Sequence, residues 1–288
     1  MESGLVDPTL PPEASLDTFR PAVDIHTHFH PPRLFRAIRD WFARETDWRI
    51  PHPMDESHYA ATLAGHGVTR FVVCSYAHRA GVARDLNDWL RAFADRTAGA
   101  VPLGTVHPDD PDCVAEARRA LDDLGLAGFK VHCEVQRVAP DDPRMLPVFD
   151  LARERDRFVL MHCGTAPFGG NAYTTSAQGV DRLLTRLPGL RVVVAHMGQY
   201  ETEAFFGLLE RHPTLHLDTT MAFAADSPFL RPIDRSRIAA HADRILYGTD
   251  WPNIPYAYGG DRDGLLALGL PGAAYRAIFH DNAARLLG

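Results

Sequence analysis

Five residues of this chain could act together on a metal ion if the short apolar runs around them are strands. The run VDIHTH carries His26 and His28 two residues apart, FVLMH ends in His162, VVVAH ends in His196, and ILYGTD ends in Asp250. Alternate side chains of a strand share a face, so H-x-H turns both imidazoles to one side. Imidazole and carboxylate are the groups that hold zinc and related divalent ions. The alternation puts Asp24, His26 and His28 inward with Val23 and Ile25 outward. In the other three runs it puts Phe158, Leu160 and His162 inward, then Val192, Val194 and His196, then Leu246, Gly248 and Asp250. Four separate runs ending in ligand-type residues on one face describe a shared site. His52, His58, His66, His212, His216, His241 and His280 stand outside that pattern and read as hydrogen-bonded structural histidines.

Such convergence needs a frame that brings distant strand ends together. Eight short apolar, β-branched runs cover residues 22–26, 69–75, 101–106, 126–132, 158–162, 191–196, 215–218 and 244–250, with helix-like stretches at 82–97, 111–124, 143–155, 175–187 and 201–212. Eight strands alternating with helices predict an α/β protein, a (β/α)8 TIM barrel of about 250 residues whose site lies at the C-terminal strand ends. A doubly wound sheet gives the same alternation, but its G-x-G-x-x-G fingerprint is missing. The reading is one domain over 21–288, an extended loop after the first strand (29–67) holding a Trp- and Arg-rich helix, and a flexible arm over 1–20.

Composition narrows the function classes. The 288 residues carry a net charge of −7, and the 30 basic residues are 29 Arg and one Lys, Lys130. A net acidic chain without a basic stripe lacks the footprint for nucleic acid, and a P-loop needs a Gly-Lys-Ser/Thr that is absent. No apolar run approaches the roughly 18 residues of a membrane span, and residues 1–20 do not read as a signal peptide. Cys74, Cys113, Cys133 and Cys163 form no C-x-x-C pair and read as buried free thiols. The expectation is a cytoplasmic protein with a small-molecule substrate and no nucleic-acid or membrane partner.

The set D-I-H-T-H-F-H-P, G-F-K-V-H, V-L-M-H-C-G, V-V-A-H-M-G, L-Y-G-T-D-W-P and F-H-D-N-A-A-R-L-L-G, in that order from about residue 22 to the C-terminus, resembles the amidohydrolase superfamily. Its resemblance is to the amidohydrolase-related branch that includes pyrone dicarboxylate lactonase and aminocarboxymuconate-semialdehyde decarboxylase. The resemblance implies a distorted barrel with one divalent metal, zinc or manganese, and allows a homodimer. It implies His26, His28, His162 and Asp250 as ligands, Asp250 also handling a proton, and His196 as a catalytic base or electrophile. Three imidazoles and one carboxylate leave an ion enough charge to lower the pKa of water from about 15.7 toward about 7. The expected activity is metal-dependent hydrolysis of an amide, lactone or ester of a small carboxylated molecule. Because decarboxylases of the branch use a similar site, non-oxidative decarboxylation of an aromatic or muconate-like acid is the alternative.

Lys130 falls on the inward face of the fourth run with Gly128 and His132. A charged lysine inside a barrel is unfavourable unless paired or modified. Three roles stay open: the carboxylated lysine bridging two metals that the resemblance to some branches of the superfamily implies, with His162 and His196 on the second; a cation that orients substrate or pairs with Asp24 or Asp250; or a structural brace. His132 and His107 are further substrate-binding candidates, as are Trp251 and Asn253 after Asp250. Tyr76, His78, Arg79 and Arg137 are candidate pocket residues, and CGTAPFGGNAYTT (163–175) and TTMAFAADSPF (219–229) are candidate lids or walls.

Overall fold

A computed structural model describes residues 21–53, 55–163 and 176–288. The arm expected over 1–20 and the candidate lid after Cys163 lie outside the described residues. Eight strands follow in order: β1 (Ala22–His28), β2 (Val68–Cys74), β3 (Ala100–Leu103), β4 (Gly128–His132), β5 (Phe158–His162), β6 (Arg191–Val194), β7 (Leu215–Asp218) and β8 (Ile245–Leu246). Every pairing from β1 to β3 and from β4 to β8 is parallel. Reciprocal bonds close the gap between β3 and β4, from Gly104 N–H to Gly128 O and from Lys130 N–H to Gly104 O, each 2.8 Å. Ile25 N–H to Tyr247 O (2.9 Å) and Asp250 N–H to His26 O (2.8 Å) join the β8 segment back to β1. The ring is therefore closed as an eight-stranded barrel.

Helices cover the outside. The β1–β2 connection carries α1 (Pro32–Glu45) and α2 (Glu56–Gly65), and α3 (Ala83–Arg96), α4 (Cys113–Asp122), α5 (Cys133–Gln136), α6 (Leu146–Glu154), α7 (Ser176–Arg186) and α8 (Thr202–Arg211) follow. Phe129, Val131, Val159, Met161, Val192 and Val194 face this layer, packed with Ala117, Val148, Leu183 and Phe205. The barrel interior is Val23, Ile25, Val72, Leu103, Phe158, Leu160, Val193 and Leu246. Burying such side chains contributes about 1.5–3 kcal/mol each, so the barrel floor is apolar and the ligand-type residues are confined to its C-terminal rim. Lys130, 1% exposed in β4, is the charged exception.

Two strands depart from simple alternation. In β1, Asp24 stands opposite the outward Phe71 and His28 opposite the inward Cys74, while the register breaks between Asp24 and Thr27. This β-bulge sets Ile25 and His26 together against Val72. Val23 and Ile25 consequently face the interior, not the helices, and Asp24 turns outward to accept from Thr249 Oγ1 (2.6 Å) and Tyr258 OH (3.2 Å). In β6, Val193 is the interior residue, and Val192 and Val194 face the helices. His196 reaches the rim because the chain leaves the strand and turns back through four left-handed residues, His196 (φ 58°), Met197 (52°), Gly198 (74°) and Gln199 (48°). Gly198 is required there, since a Cβ would lie 2.0 Å from the Phe205 ring.

Strand β8 ends at Leu246, and Asp250 lies beyond it in a left-handed conformation (φ 63°) that keeps its carboxylate over the rim. Gly248 makes room for the neighbours, because a Cβ there would lie 2.8 Å from Thr220 Oγ1 and 3.0 Å from His26 Cβ. Replacing Gly248 by Val overpacks a rigid strand end. Urea denaturation should show a loss of about 1–3 kcal/mol, and the variant should retain metal less tightly because His26 is displaced.

Candidate metal centre

The bulge of β1 delivers His26 and His28 to one point. Their Nε2 atoms are 3.2 Å apart, and Asp250 Oδ1 lies 3.1 Å from His26 Nε2 and 2.9 Å from His28 Nε2. Two nitrogens that bind one ion at about 2.0–2.1 Å, at tetrahedral or octahedral angles, are themselves separated by about 2.8–3.4 Å. The three atoms thus have the spacing of ligands to a common ion.

Hydrogen bonds behind the rings decide which nitrogen is free. His26 Nδ1–H donates to Asp218 Oδ2 at 2.8 Å, leaving the lone pair on Nε2. Asp218 Oδ1 accepts the backbone N–H of His196 at 2.8 Å and of Thr220 at 3.1 Å. His196 Nδ1–H donates to Thr220 O (3.2 Å), and its Nε2 accepts from His162 Nδ1 (2.9 Å). That relay leaves His162 with a bare Nε2, a buried atom without a hydrogen-bond partner among the described residues. A ring otherwise satisfied, with one bare nitrogen at the same rim, suits a further ligand. The 2.9 Å contact between His162 and His196 is explained by this hydrogen bond and needs no second ion.

Cys74 also comes close, its Sγ grouped with nitrogens of His26 and His28 within 4.8 Å. It lies 3.6 Å from His28 Nδ1 and 3.1 Å from Thr27 O, behind the His28 ring and away from Nε2. Its position orients the imidazole, as a supporting group does.

The remaining candidates divide. Lys130 Nζ is 2.7 Å from His26 Nε2, within the cluster. His132 stacks on His162 with centroids 3.9 Å apart. Asn253, His132, His162 and His196 line a chamber of about 40 Å³ with His28, Asp250, Phe42, Trp48, Tyr76, Met221 and Phe229. Met221 and Phe229 come from the segment after β7 expected to form a wall. His107 is buried with Nδ1 accepting from Asp109 N–H at 3.2 Å, and it does not border this chamber. Trp251 packs among His52, Tyr59 and Tyr258 behind the site, not on the chamber wall. Asp218 was not singled out by the sequence pattern, although the seventh run, LHLD, also ends in an inward carboxylate.

A family model described as amidohydrolase matches residues 23–288. The chain belongs to the amidohydrolase family. No curated protein sequence matches it. Among solved structures this amidohydrolase is similar to an uncharacterised TIM-barrel protein of Bordetella bronchiseptica (TM-score 0.72, 23% identity, 92% of this chain and 98% of that one). It is also similar to a 5-carboxyvanillate decarboxylase of Novosphingobium aromaticivorans with bound manganese (0.68, 17%, 95% and 98%). A third similar structure is a probable 2-pyrone-4,6-dicarboxylic acid hydrolase of Acinetobacter baumannii (0.61, 12%, 93% and 99%). At these identities the likeness shows the fold, a TIM barrel.

Burial sets the charge states in the amidohydrolase site. It drives His26 down to about 4, helped by the Lys130 charge and opposed by Asp218. It also drives His132 and His162 well below the ordinary imidazole value, reinforced in both by Lys130 and His196, by His28 for His132 and by His132 for His162, and lowers His196 against the pull of Asp250 and Asp218. Neutral imidazoles are the form that binds metal. Burial raises Asp250, but the charge and hydrogen bond of His28 outweigh it and hold the carboxyl well below its usual range. For His28, burial opposes charge, yet Cys74 and Asp250 push it up to about 9. A cation held between the same atoms would displace that proton.

Asp218→Asn tests the relay. An amide could hydrogen-bond His26 without the carboxylate's charge, and metal affinity should fall about 10- to 100-fold in a chelator-competition titration, with the circular dichroism spectrum unchanged.

Proposed function

We propose that this amidohydrolase holds one divalent ion, zinc or manganese, through His26, His28, Asp250 and His162, and hydrolyses an amide, lactone or ester bond of a small acid. The observation that supports this reading is the meeting of His26 Nε2, His28 Nε2 and Asp250 Oδ1 within 3.2 Å, beside the bare Nε2 of His162. The ion, when bound, supplies Lewis acidity toward a substrate oxygen and acidifies water at the site.

The chain's own residues do the rest. Asp250, kept ionised by its histidine neighbours, takes the proton of the attacking water. His196, neutral and fixed by Thr220 O, takes that proton from Asp250 on Nε2, in exchange for the bond it accepts there from His162, and passes it to the leaving group. General acid–base work of this kind contributes about 100- to 10,000-fold. Lys130, directed at His26, offers the substrate's oxygen a positive partner in the unmodified form. If carboxylated it would bridge a second ion, so one ion per chain supports the first role. Asn253, whose Oδ1 is buried without a hydrogen-bond partner among the described residues, offers an acceptor to the substrate.

Decarboxylation is the second reading. It is favoured by the aromatic walls Phe42, Trp48, Tyr76 and Phe229 around the chamber and by the likeness to a 5-carboxyvanillate decarboxylase.

Elemental analysis should find one equivalent of zinc or manganese per chain. Chelation should abolish turnover, and adding back the ion should restore it. His26→Ala and Asp250→Asn should each lower kcat/KM at least about 100-fold. With panels of lactones, acylated amino acids and aromatic acids, incorporation of ¹⁸O from labelled water into the product supports hydrolysis. Carbon dioxide release without that incorporation selects decarboxylation, and full activity in metal-free protein overturns both.

A further inference from the structure

Helix α1 is amphipathic, yet only Phe35 of its fourteen residues is buried. Its apolar stripe, Leu34, Ala37, Ile38, Trp41 and Phe42, has the i, i+3, i+4, i+7, i+8 spacing that normally faces a core. Here the stripe forms one wall of an open groove of about 500 Å³, with Tyr76 and Val135 opposite and Glu134, Arg137 and His78 among its polar residues. The groove and the 40 Å³ chamber share two side chains, Phe42 and Tyr76. Tyr76 stands edge-on to His28, His30 and His132 (centroids 5.8, 6.0 and 5.1 Å), so the groove begins where the histidine cluster ends.

Size and charge then restrict what can bind. The chamber, at 40 Å³ against the groove's 500 Å³, takes a few waters or a reacting group and not the body of a substrate. The groove's volume lies within the range of about 300–1,000 Å³ that holds a drug-sized molecule. Positive charge at the reacting end is confined to Lys130, beside His26, and the ion, and among the described residues no Arg lines the chamber. One acidic group is matched there, while an apolar body would find the α1 stripe.

Building on the metal-dependent reading above, we propose that the substrate is elongated and amphiphilic. Its acyl or carboxylate end enters the chamber, and an aryl-alkyl or alkyl body, longer than a single ring, lies in the groove against Leu34, Ile38 and Trp41. Phe42 and Tyr76 separate the two parts and make α1 the specificity element.

Calorimetric titration of the metal-loaded protein with benzoate, phenylacetate, 3-phenylpropionate and 4-phenylbutyrate tests this without requiring turnover. Each methylene buried should tighten Kd by up to about fourfold, giving at least about tenfold across the series, with citrate binding weaker than 4-phenylbutyrate. Ala37→Trp, which fills the groove, and Leu34→Glu, which charges it, should each flatten the series. A flat series in the parent protein, or an unchanged gain in both variants, overturns the proposal. So does a dimer, seen by sedimentation, that these two substitutions dissociate, because the stripe would then belong to an interface between copies. Length-dependent binding with no turnover of any acid, ester or lactone supports the groove and counts against the proposed reaction. Hydrolysis of compact esters with a flat series does the reverse.

Discussion

The site depends on the bond between His26 and Asp218. An imidazole in a dry barrel mouth can offer a lone pair from only one nitrogen, and the choice is made by what holds the proton on the other. Asp218 takes the Nδ1 proton of His26 at 2.8 Å, and its second oxygen gathers the N–H groups of His196 and Thr220. One carboxylate at the end of β7 thereby orients a ligand from β1 and the turn after β6. His162 follows through His196, so three histidines share a tautomer pattern that leaves the Nε2 lone pair of His26 turned to the cluster and the Nε2 of His162 bare.

The barrel itself was legible because periodicity survives in short runs. Phe158, Leu160 and His162 alternate as a barrel strand should, and Gly128, Lys130 and His132 do the same. Where the site is built, regularity breaks. The bulge that turns Asp24 outward cannot be read from VDIHTH, because alternation with either phase fits the same letters until the partner strand is known. His196 was found by its position at the end of an apolar run, yet it arrives through a reversal of the chain and not through strand phase. Asp218 ends its run in the register that marks His162, but a carboxylate closing so short a run as LHLD carries no signal of its own. Packing partners, absent from any sequence pattern, separate Trp251 behind the site from Asn253 on the chamber wall.

Division of labour between the barrel and the β1–β2 connection follows from the same geometry. The strand ends are crowded with imidazoles and the carboxylates of Asp218 and Asp250, held by bonds that leave little freedom to change. The inserted helix α1 is anchored by Phe35 and otherwise leaves its apolar stripe half-covered. Chemistry resides on rigid elements and selection on an added one, the arrangement by which one barrel supports many reactions.

The lone lysine has a further consequence for anyone handling the protein. With 29 arginines and one lysine in the chain, and that lysine 1% exposed, the folded surface presents no ε-amine. A reagent that acylates primary amines can reach the Lys130 side chain only by the route that admits substrate or when the barrel opens around β4, so the rate of its modification reports access to the metal centre. Coupling chemistry that relies on surface ε-amines finds none on the folded protein.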